Sequence, residues 1–177
     1  MDTVHTSSWL RSSASCTAVF LAFVSLASCL SQRPLEIGNK AGQFQLKTLA
    51  GTTVSFEPAS GRVYLLYFWA DWCARCEDDF RMMDDLHSRW MGQAENPRLL
   101  AINVGQSEEH IGNFVKKMKI SFPISLDRNG KVARSYGVKG LPTYFLVDKE
   151  GVVRHIILGW ADERHLLDEI RKIGRGP

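Results

Sequence analysis

The sequence predicts an α/β domain with a mixed central sheet, helices on both faces and an added N-terminal β-hairpin. Three observations lead to this fold class. Apolar runs of strand length alternate with helical periodicity in the first half of the domain, which favours parallel pairing. Two apolar runs in the second half are joined by a tight turn, which favours antiparallel pairing. Two shorter runs around Ala50-Gly51 precede the first buried strand and predict the hairpin.

The first half of the domain is predicted to contain the hairpin, two buried strands and a helix. Residues 63–69 form a dense apolar and aromatic run, as expected of a central strand buried on both faces. The helix is indicated by Phe80, Met83 and Leu86, which recur at helical spacing. In chain order we expect strands over 44–49, 52–56 and 63–69, a helix over 74–90 and a strand over 99–104.

The second half continues with a helix, a short helical turn, a pair of strands and a last amphipathic helix. Both helices show apolar residues at helical spacing. The turn Asp148-Lys149-Glu150-Gly151 joins the two strands. In the same order, these elements are predicted over 111–118, 131–136, 143–147 with 152–157, and 166–173.

The N-terminal residues are predicted to be a targeting segment outside the fold. Residues 16–27 are almost entirely apolar, follow a polar stretch with one arginine, and are followed by small residues. This run is shorter than the about 20 residues needed to span a bilayer, and it has the length of a signal-peptide core. We therefore assign residues 1–28 to a signal peptide, 29–40 to a tether and 41–174 to the folded domain.

The end of this segment, Leu26-Ala27-Ser28-Cys29, resembles the lipobox of bacterial lipoproteins. The resemblance implies cleavage before Cys29 and attachment of a diacylglycerol to its sulfur, so that the chain is anchored to a membrane. Two alternatives stay open: secretory cleavage that leaves Cys29 as a free thiol, and an uncleaved anchor. All three place the domain outside the cytoplasm, on the periplasmic side or the outer face of the cell membrane.

Composition and charge exclude other classes of protein. Hydrophobic residues make up 45% of the 177 residues and charged residues 23%, as in globular proteins. The net charge of +3 is small and the basic residues are scattered, so we expect no nucleic-acid partner. We interpret the scattered histidines as surface or helix-end residues and therefore expect no metal site; they are His87, His110, His155 and His165. We also expect a monomer.

The most informative stretch is Trp72-Cys73-Ala74-Arg75-Cys76, between a predicted buried strand and a predicted helix. Two cysteines with two residues between them can close a disulfide in the first turn of a helix. At the helix N-terminus, unpaired N–H groups and the helix dipole favour a thiolate, which is the attacking species in disulfide exchange. We therefore expect Cys73 to attack and Cys76, one turn into the helix and more buried, to resolve the mixed disulfide.

Two other kinds of cysteine pair, a structural zinc site and an inert structural disulfide, fit the sequence less well. A structural zinc site needs four ligands, and the sequence contains neither a second such pair nor a histidine pair with finger-like spacing. An inert structural disulfide would not require a strand-to-helix junction or a preceding tryptophan. The redox interpretation, which needs no cofactor beyond the Cys73–Cys76 disulfide, is favoured over both.

The cysteine motif and several other segments resemble one protein family. Trp-Cys-x-x-Cys after an apolar strand resembles thioredoxins. Five segments resemble the extracytoplasmic TlpA/ResA-type branch, which includes the CcmG/DsbE-like thioredoxins of cytochrome c maturation. The resemblance covers roughly residues 41–172 and implies the thioredoxin fold. The segments are Phe68-Trp69-Ala70-Asp71-Trp72-Cys73, Asn103-Val104-Gly105, Phe122-Pro123, Leu126-Asp127 and Gly140-Leu141-Pro142-Thr143.

The resemblance also implies how substrate is bound. It implies that the Leu141–Pro142 peptide bond is cis, lies against the cysteines and offers backbone to an extended substrate segment. The alternative is an ordinary trans proline, because only about 5–6% of X–Pro bonds are cis. Trp72 and Arg75 join Leu141 and Pro142 in the predicted substrate-binding surface. Arg75 could stabilise the Cys73 thiolate or point into water.

Asp79 is the remaining candidate catalytic residue. It lies three residues after Cys76 on the same helical face, where the resembled branch commonly has a glutamate, and it could relay a proton to or from Cys76. The alternative is that Asp79 belongs to a solvated acidic face. Many thioredoxins carry an acid in the preceding strand, where this chain has Tyr67. The chain also departs from the family by having Arg75 and Arg81 in place of prolines.

The sequence therefore predicts a protein-disulfide reductase acting on exported proteins. The resemblance implies apocytochrome c as a substrate class and a membrane thiol donor of the DsbD or CcdA type. Two alternatives stay open: a periplasmic disulfide oxidase or isomerase, and a non-enzymatic copper-delivery lipoprotein. A peroxidase is disfavoured, because the Thr-x-x-Cys pattern is missing.

Overall fold

The computed structural model describes residues 34–92 and 96–174, which belong to one compact unit. The predicted signal peptide, Cys29 and the first part of the tether lie outside these residues. None of the helices in the described part of the chain has both the length and the apolar character needed to cross a bilayer.

One seven-stranded sheet organises the domain, in the order β2-β1-β5-β4-β3-β6-β7. The central strands β3, β4 and β5 run parallel, and all other neighbours are antiparallel, so the sheet is mixed as predicted. The elements are, in chain order, β1 (Phe44–Thr48), β2 (Thr53–Phe56), β3 (Tyr64–Trp69), α1 (Ala74–Trp90), β4 (Arg98–Val104), α2 (Glu108–Met118), β5 (Ile124–Asp127), α3 (Lys131–Ser135), β6 (Thr143–Val147), β7 (Val153–Leu158) and α4 (Glu163–Gly174).

Strand β5 is the element that the sequence analysis missed. Its four residues are all buried, although Ser125 and Asp127 are polar. It pairs with β4 on one side and with β1 on the other, so it joins the N-terminal hairpin to the sheet. Four residues that alternate between apolar and polar are too few to show a period, which explains the omission.

The sheet separates two apolar clusters. Alternate residues of a strand point to opposite faces, so Leu65, Tyr67 and Trp69 pack with α1, α2 and α4, whereas the residues between them face the hairpin and α3. Helices therefore cover both faces, as predicted. The first of the two clusters contains both Cys73 and Cys76, which places the cysteine pair at the edge of the core.

The last residues of the predicted tether contact the domain. The Gly38 N–H donates to the Val153 carbonyl at 2.8 Å, and the Val153 N–H donates to the Asn39 carbonyl at 2.9 Å. Lys40 also bridges to Val152. Backbone pairing with the domain thus begins before residue 41, while the tether as a whole stays a prediction.

Candidate active site

The cysteine pair lies where β3 passes into α1. After Trp69 the chain turns, and the Cys73 N–H donates to the Ala70 carbonyl at 3.3 Å. Cys73 is the N-cap of α1, and its sulfur forms a disulfide with Cys76, whose Cα is 5.3 Å away. Cys73 retains 7% of its surface and Cys76 none. The predicted position at the helix N-terminus and the deeper burial of Cys76 are both confirmed.

Pro142 lies beside the end of β3 from which the cysteine segment departs. The Leu141–Pro142 bond is cis, as the resemblance implied. Since Phe68 pairs with Thr143, the register brings Pro142 level with Trp69. Leu141 packs against the cluster that contains both cysteines. The structure therefore brings the predicted proline loop to the same end of the sheet as the disulfide.

Exposed apolar side chains surround this end of the sheet. Trp72, next to Cys73, is 71% exposed, and Leu158 and Trp160 are 64% and 58% exposed. Leu158 lies over Gly140 in the proline loop, because a Cβ added there would meet the leucine Cδ1 at 3.4 Å. Arg75 is exposed on the first turn of α1. The sequence analysis did not include Leu158, since the exposed end of a strand carries no distinguishing pattern.

Asp79 is buried and does not belong to a solvated face. Only 1% of its surface is exposed, whereas its neighbours Glu77 and Asp78 are exposed. Oδ2 accepts a hydrogen bond from the Tyr144 hydroxyl, and Oδ1 has no hydrogen-bond partner among the described residues. Burial raises the pKa of Asp79 to about 6, with the charge of Asp78 adding to it and the Tyr144 bond opposing it. Asp79 can therefore exchange a proton near neutral pH.

Two stacked tyrosines connect the sheet to the first turns of α1. Tyr67 and Tyr144 are partners in the β3–β6 pairing, and their ring centroids are 5.1 Å apart. The Tyr67 hydroxyl donates to the Cys76 carbonyl at 3.1 Å. Burial raises the pKa of both phenols far above their ordinary value, so both hydroxyls remain protonated donors. The sequence analysis named Tyr67 only as a departure from the family and did not name Tyr144. Both lie at inward-facing strand positions, a signal that could have found them.

A polar network holds the segment before Cys73. The Asp71 carboxylate accepts hydrogen bonds from the Gln106 side chain and from His110, and the Asp71 N–H donates to Gln106 Oε1 at 3.1 Å. The Asn103 amide donates to the same Gln106 oxygen at 2.8 Å. Burial opposes ionisation of Asp71, but these hydrogen bonds and His110 hold its pKa below the usual range. His110, which we interpreted as a simple helix-end residue, thus contacts the active-site segment.

No three His, Cys, Asp or Glu side chains within residues 34–92 and 96–174 are placed to hold a metal ion. The groups that the structure brings together are a disulfide, a buried carboxyl group and a cis-proline loop. Such a set can exchange disulfides and move one proton.

Comparison with known proteins agrees with this chemistry. Residues 37–156 match the AhpC/TSA family. The thiol-disulfide oxidoreductase ResA of Bacillus thuringiensis subsp. konkukian is 30% identical over 142 residues, which cover 80% of this chain and 81% of that protein. The chain belongs to the AhpC/TSA family, among its ResA-like thiol–disulfide oxidoreductases.

Solved structures support the fold of this ResA-like protein. One is a Chlorobium tepidum protein described as thiol:disulfide interchange protein DsbE, with a TM-score of 0.71 and 30% identity, covering 79% of this chain and 99% of that one. Another is the pneumococcal exposed lipoprotein thioredoxin Etrx1 of Streptococcus pneumoniae, with a TM-score of 0.65 and 25% identity, covering 74% and 99% of the two chains. The predicted thioredoxin fold and family are confirmed.

Proposed function

We propose that this oxidoreductase reduces disulfides of exported proteins, with Cys73 as the attacking residue and Cys76 as the resolving residue. The observation that supports the roles is the difference in exposure within the pair, 7% against none. A substrate disulfide reaches a sulfur at the surface more easily than a buried one. The N-terminal end of α1 also favours the Cys73 thiolate that the first attack requires.

The proposed reaction has two exchange steps and transfers two electrons. The Cys73 thiolate attacks one substrate sulfur, which forms a mixed disulfide and releases the other substrate sulfur as a thiolate that takes a proton from water. Cys76 then gives its proton to the Asp79 carboxylate and attacks the Cys73 sulfur. This step releases the second substrate sulfur and leaves the Cys73–Cys76 disulfide. Asp79 returns its proton to water or to the departing sulfur.

Substrate is proposed to lie across Trp72, Leu141 and Pro142, with Arg75 at the side of the helix. The support for this surface is the exposure of the tryptophan and the position of the cis-proline loop next to the end of β3. An exposed indole offers a large apolar contact to an unfolded segment. Apocytochrome c is the proposed substrate class, in line with the ResA and DsbE names of the relatives.

We place the protein outside the cytoplasm, held at a membrane by a lipid on Cys29, on the periplasmic side or the outer face of the cell membrane. The support is the lipobox-like sequence before Cys29 and the description of the pneumococcal neighbour as an exposed lipoprotein. A membrane thiol donor of the DsbD or CcdA type would return the disulfide to the dithiol. The protein is proposed to act as a monomer.

The test is reduction of a disulfide-linked peptide by dithiothreitol with the purified protein and three serine variants. Cys73→Ser should reduce the catalysed rate to background, because the thiol that remains, Cys76, is fully buried. Cys76→Ser, reduced and then freed of dithiothreitol before the peptide is added, should form a mixed disulfide with the peptide that persists, which mass spectrometry detects. Cys29→Ser is the control and should keep the wild-type rate. Catalysis that survives Cys73→Ser would contradict the proposal.

A further inference from the structure

The structure surrounds Asp79 with groups from three elements. Tyr144 from β6 donates its hydroxyl proton to Oδ2, and Tyr67 from β3 stacks on the Tyr144 ring. Cys76 and Asp78 lie on the same helix, one buried and one exposed. The carboxyl group thus has one oxygen held by a phenol and one oxygen, Oδ1, without a hydrogen-bond partner in the described part of the chain.

We propose that Tyr144 is a positioning residue that orients the Asp79 carboxyl group so that Oδ1 exchanges a proton with Cys76. The inference rests on the proposed function, in which Asp79 takes the proton of the resolving thiol. No comparison assigns a role to Tyr144. The residue acts through Asp79 and touches neither substrate nor sulfur in this proposal.

The hydrogen bond from Tyr144 can fix the orientation of the Asp79 carboxyl group. A carboxyl group turns about its last side-chain bond, and that torsion is broad when nothing fixes it. The Tyr144 hydroxyl fixes it from the sheet side, where the ring is fully buried and held by its stack on Tyr67. With Oδ2 occupied, Oδ1 is the oxygen left for a proton. Asp79 lies three residues after Cys76, so both occupy one face of α1.

The same hydrogen bond keeps Asp79 able to act as a base. A donor that bonds to the charged form of a carboxyl group lowers its pKa, whereas burial and a neighbouring negative charge raise it. Tyr144 opposes the burial of Asp79 and the charge of Asp78. The phenols of Tyr67 and Tyr144 stay neutral and add no charge. Without the Tyr144 hydroxyl, Asp79 would hold its proton to higher pH.

The two tyrosines offer a matched pair of variants. Tyr144→Phe removes the bond to Asp79 and keeps the ring in its stack. Tyr67→Phe removes the hydrogen bond from the Tyr67 hydroxyl to the Cys76 carbonyl and leaves the Tyr144–Asp79 hydrogen bond in place. Both of these hydrogen bonds are buried. Both variants delete one hydroxyl from the same stacked pair. A difference between them therefore reports the Asp79 contact and not the packing of the rings.

The first measurement is the carboxyl ¹³C titration of Asp79 by NMR in the oxidised protein. We expect Tyr144→Phe to raise the midpoint by about one pH unit, the size expected for losing a hydrogen bond to a charged group. Tyr67→Phe should leave the midpoint where it is in the wild type. An unchanged midpoint in Tyr144→Phe, or an equal rise in both variants, would overturn the proposal.

The second measurement is the pH dependence of the resolving step, followed as decay of the mixed disulfide with a peptide. Tyr144→Phe should slow this step at every pH, because the ionised carboxyl group is no longer oriented towards Cys76. Well below the midpoints the slowing should be greater by a further factor of about ten, because Asp79 keeps its proton to higher pH in the variant. In an Asp79→Asn background, Tyr144→Phe should have no further effect. A slowing that persists in that background, or rates that become equal above the midpoints, would overturn the proposal.

The two proposals fail in different ways. If the wild-type protein reduces no disulfide, the proposed function is wrong, and the NMR titration still decides whether Tyr144 holds Asp79. If the wild type is active and only the Tyr144 effects are missing, the reductase assignment stands and the positioning role falls.

Discussion

Ionisation of Asp79 is unfavourable for the folded protein. A carboxyl group that is 1% exposed and carries one hydrogen bond is poorly compensated when it ionises. Its pKa is about 6 in the folded protein, against an ordinary value of 3.8. The folded state therefore binds this proton more tightly than the unfolded chain does, and ionisation of Asp79 opposes folding.

Replacing this residue should stabilise the oxidised protein at neutral pH. Because the folded pKa is raised, the stability that the protonated form contributes is full below pH 3.8 and is lost as pH rises towards about 6. The difference between the folded and unfolded pKa values of Asp79 lowers the free energy of unfolding by at most about 3 kcal/mol at pH 7. Urea unfolding at several pH values should show this loss in the wild type and not in Asp79→Asn. A less stable Asp79→Asn at pH 7 would contradict this account.

At the scale of the elements, the start of helix α2 holds the segment that precedes Cys73. Helix α2 begins at Glu108, is capped by the Ser107 hydroxyl, and brings His110 to the Asp71 carboxylate. Gln106, just before the helix, bonds to both the backbone and the side chain of Asp71. The start of α2 thus fixes the approach to the disulfide from a neighbouring element.

Gln106→Leu should therefore weaken this part of the domain. The substitution removes the side chain that donates to the Asp71 carboxylate and accepts from the Asp71 N–H and from Asn103. Losing a hydrogen bond to a half-buried charged group costs about 1.5–3 kcal/mol. Urea unfolding measures the loss, and hydrogen exchange should be faster around Asp71. The control is Glu108→Gln, two residues further along at the start of α2, which breaks an exposed ion pair with Arg128 and should change stability by less than about 1 kcal/mol. Equal effects of the two variants would argue against a special role for Gln106.

Helices and strands with a clear periodicity of apolar residues were predictable from the sequence, and contacts between elements that are distant in the sequence were not. Helix α1 has the predicted bounds, because Phe80, Met83 and Leu86 mark its buried face. Strand β5 was missed because its polar residues are buried by neighbours that no local pattern reveals. The cysteine pair was found from its spacing, whereas Tyr144 reaches Asp79 across 65 positions of sequence. The meeting of those two side chains depends on the β3–β6 register, which only the folded sheet defines.

At the scale of the whole molecule, the direction of electron flow depends on the balance of the charges around the cysteine pair. The N-terminal end of α1 stabilises a thiolate on Cys73, which favours the dithiol and makes the protein more oxidising. The Asp79 carboxylate lies one turn after Cys76 and opposes a second negative charge there, which favours the disulfide. Arg75 is exposed to water, where a charge has a weak effect. Because a helix terminus contributes only about 0.3–1 kcal/mol and the exposed cation little more, repulsion by the buried and less screened carboxylate should dominate.

The reduction potential of the Cys73–Cys76 disulfide should then lie closer to that of thioredoxin, about −270 mV, than to that of the strong oxidant DsbA, about −120 mV. Equilibration in defined thiol buffers, followed by tryptophan fluorescence, measures it. Asp79→Asn should raise the potential by about 30 mV for each 1.4 kcal/mol of repulsion removed. Asp78→Asn is the control, because this neighbouring carboxylate is exposed and screened by water, and it should change the potential far less. A wild-type value near −120 mV would make the protein an oxidant and reverse the proposed direction. A value near −270 mV would mean that it must receive electrons before each turnover, as a reductase of exported proteins requires.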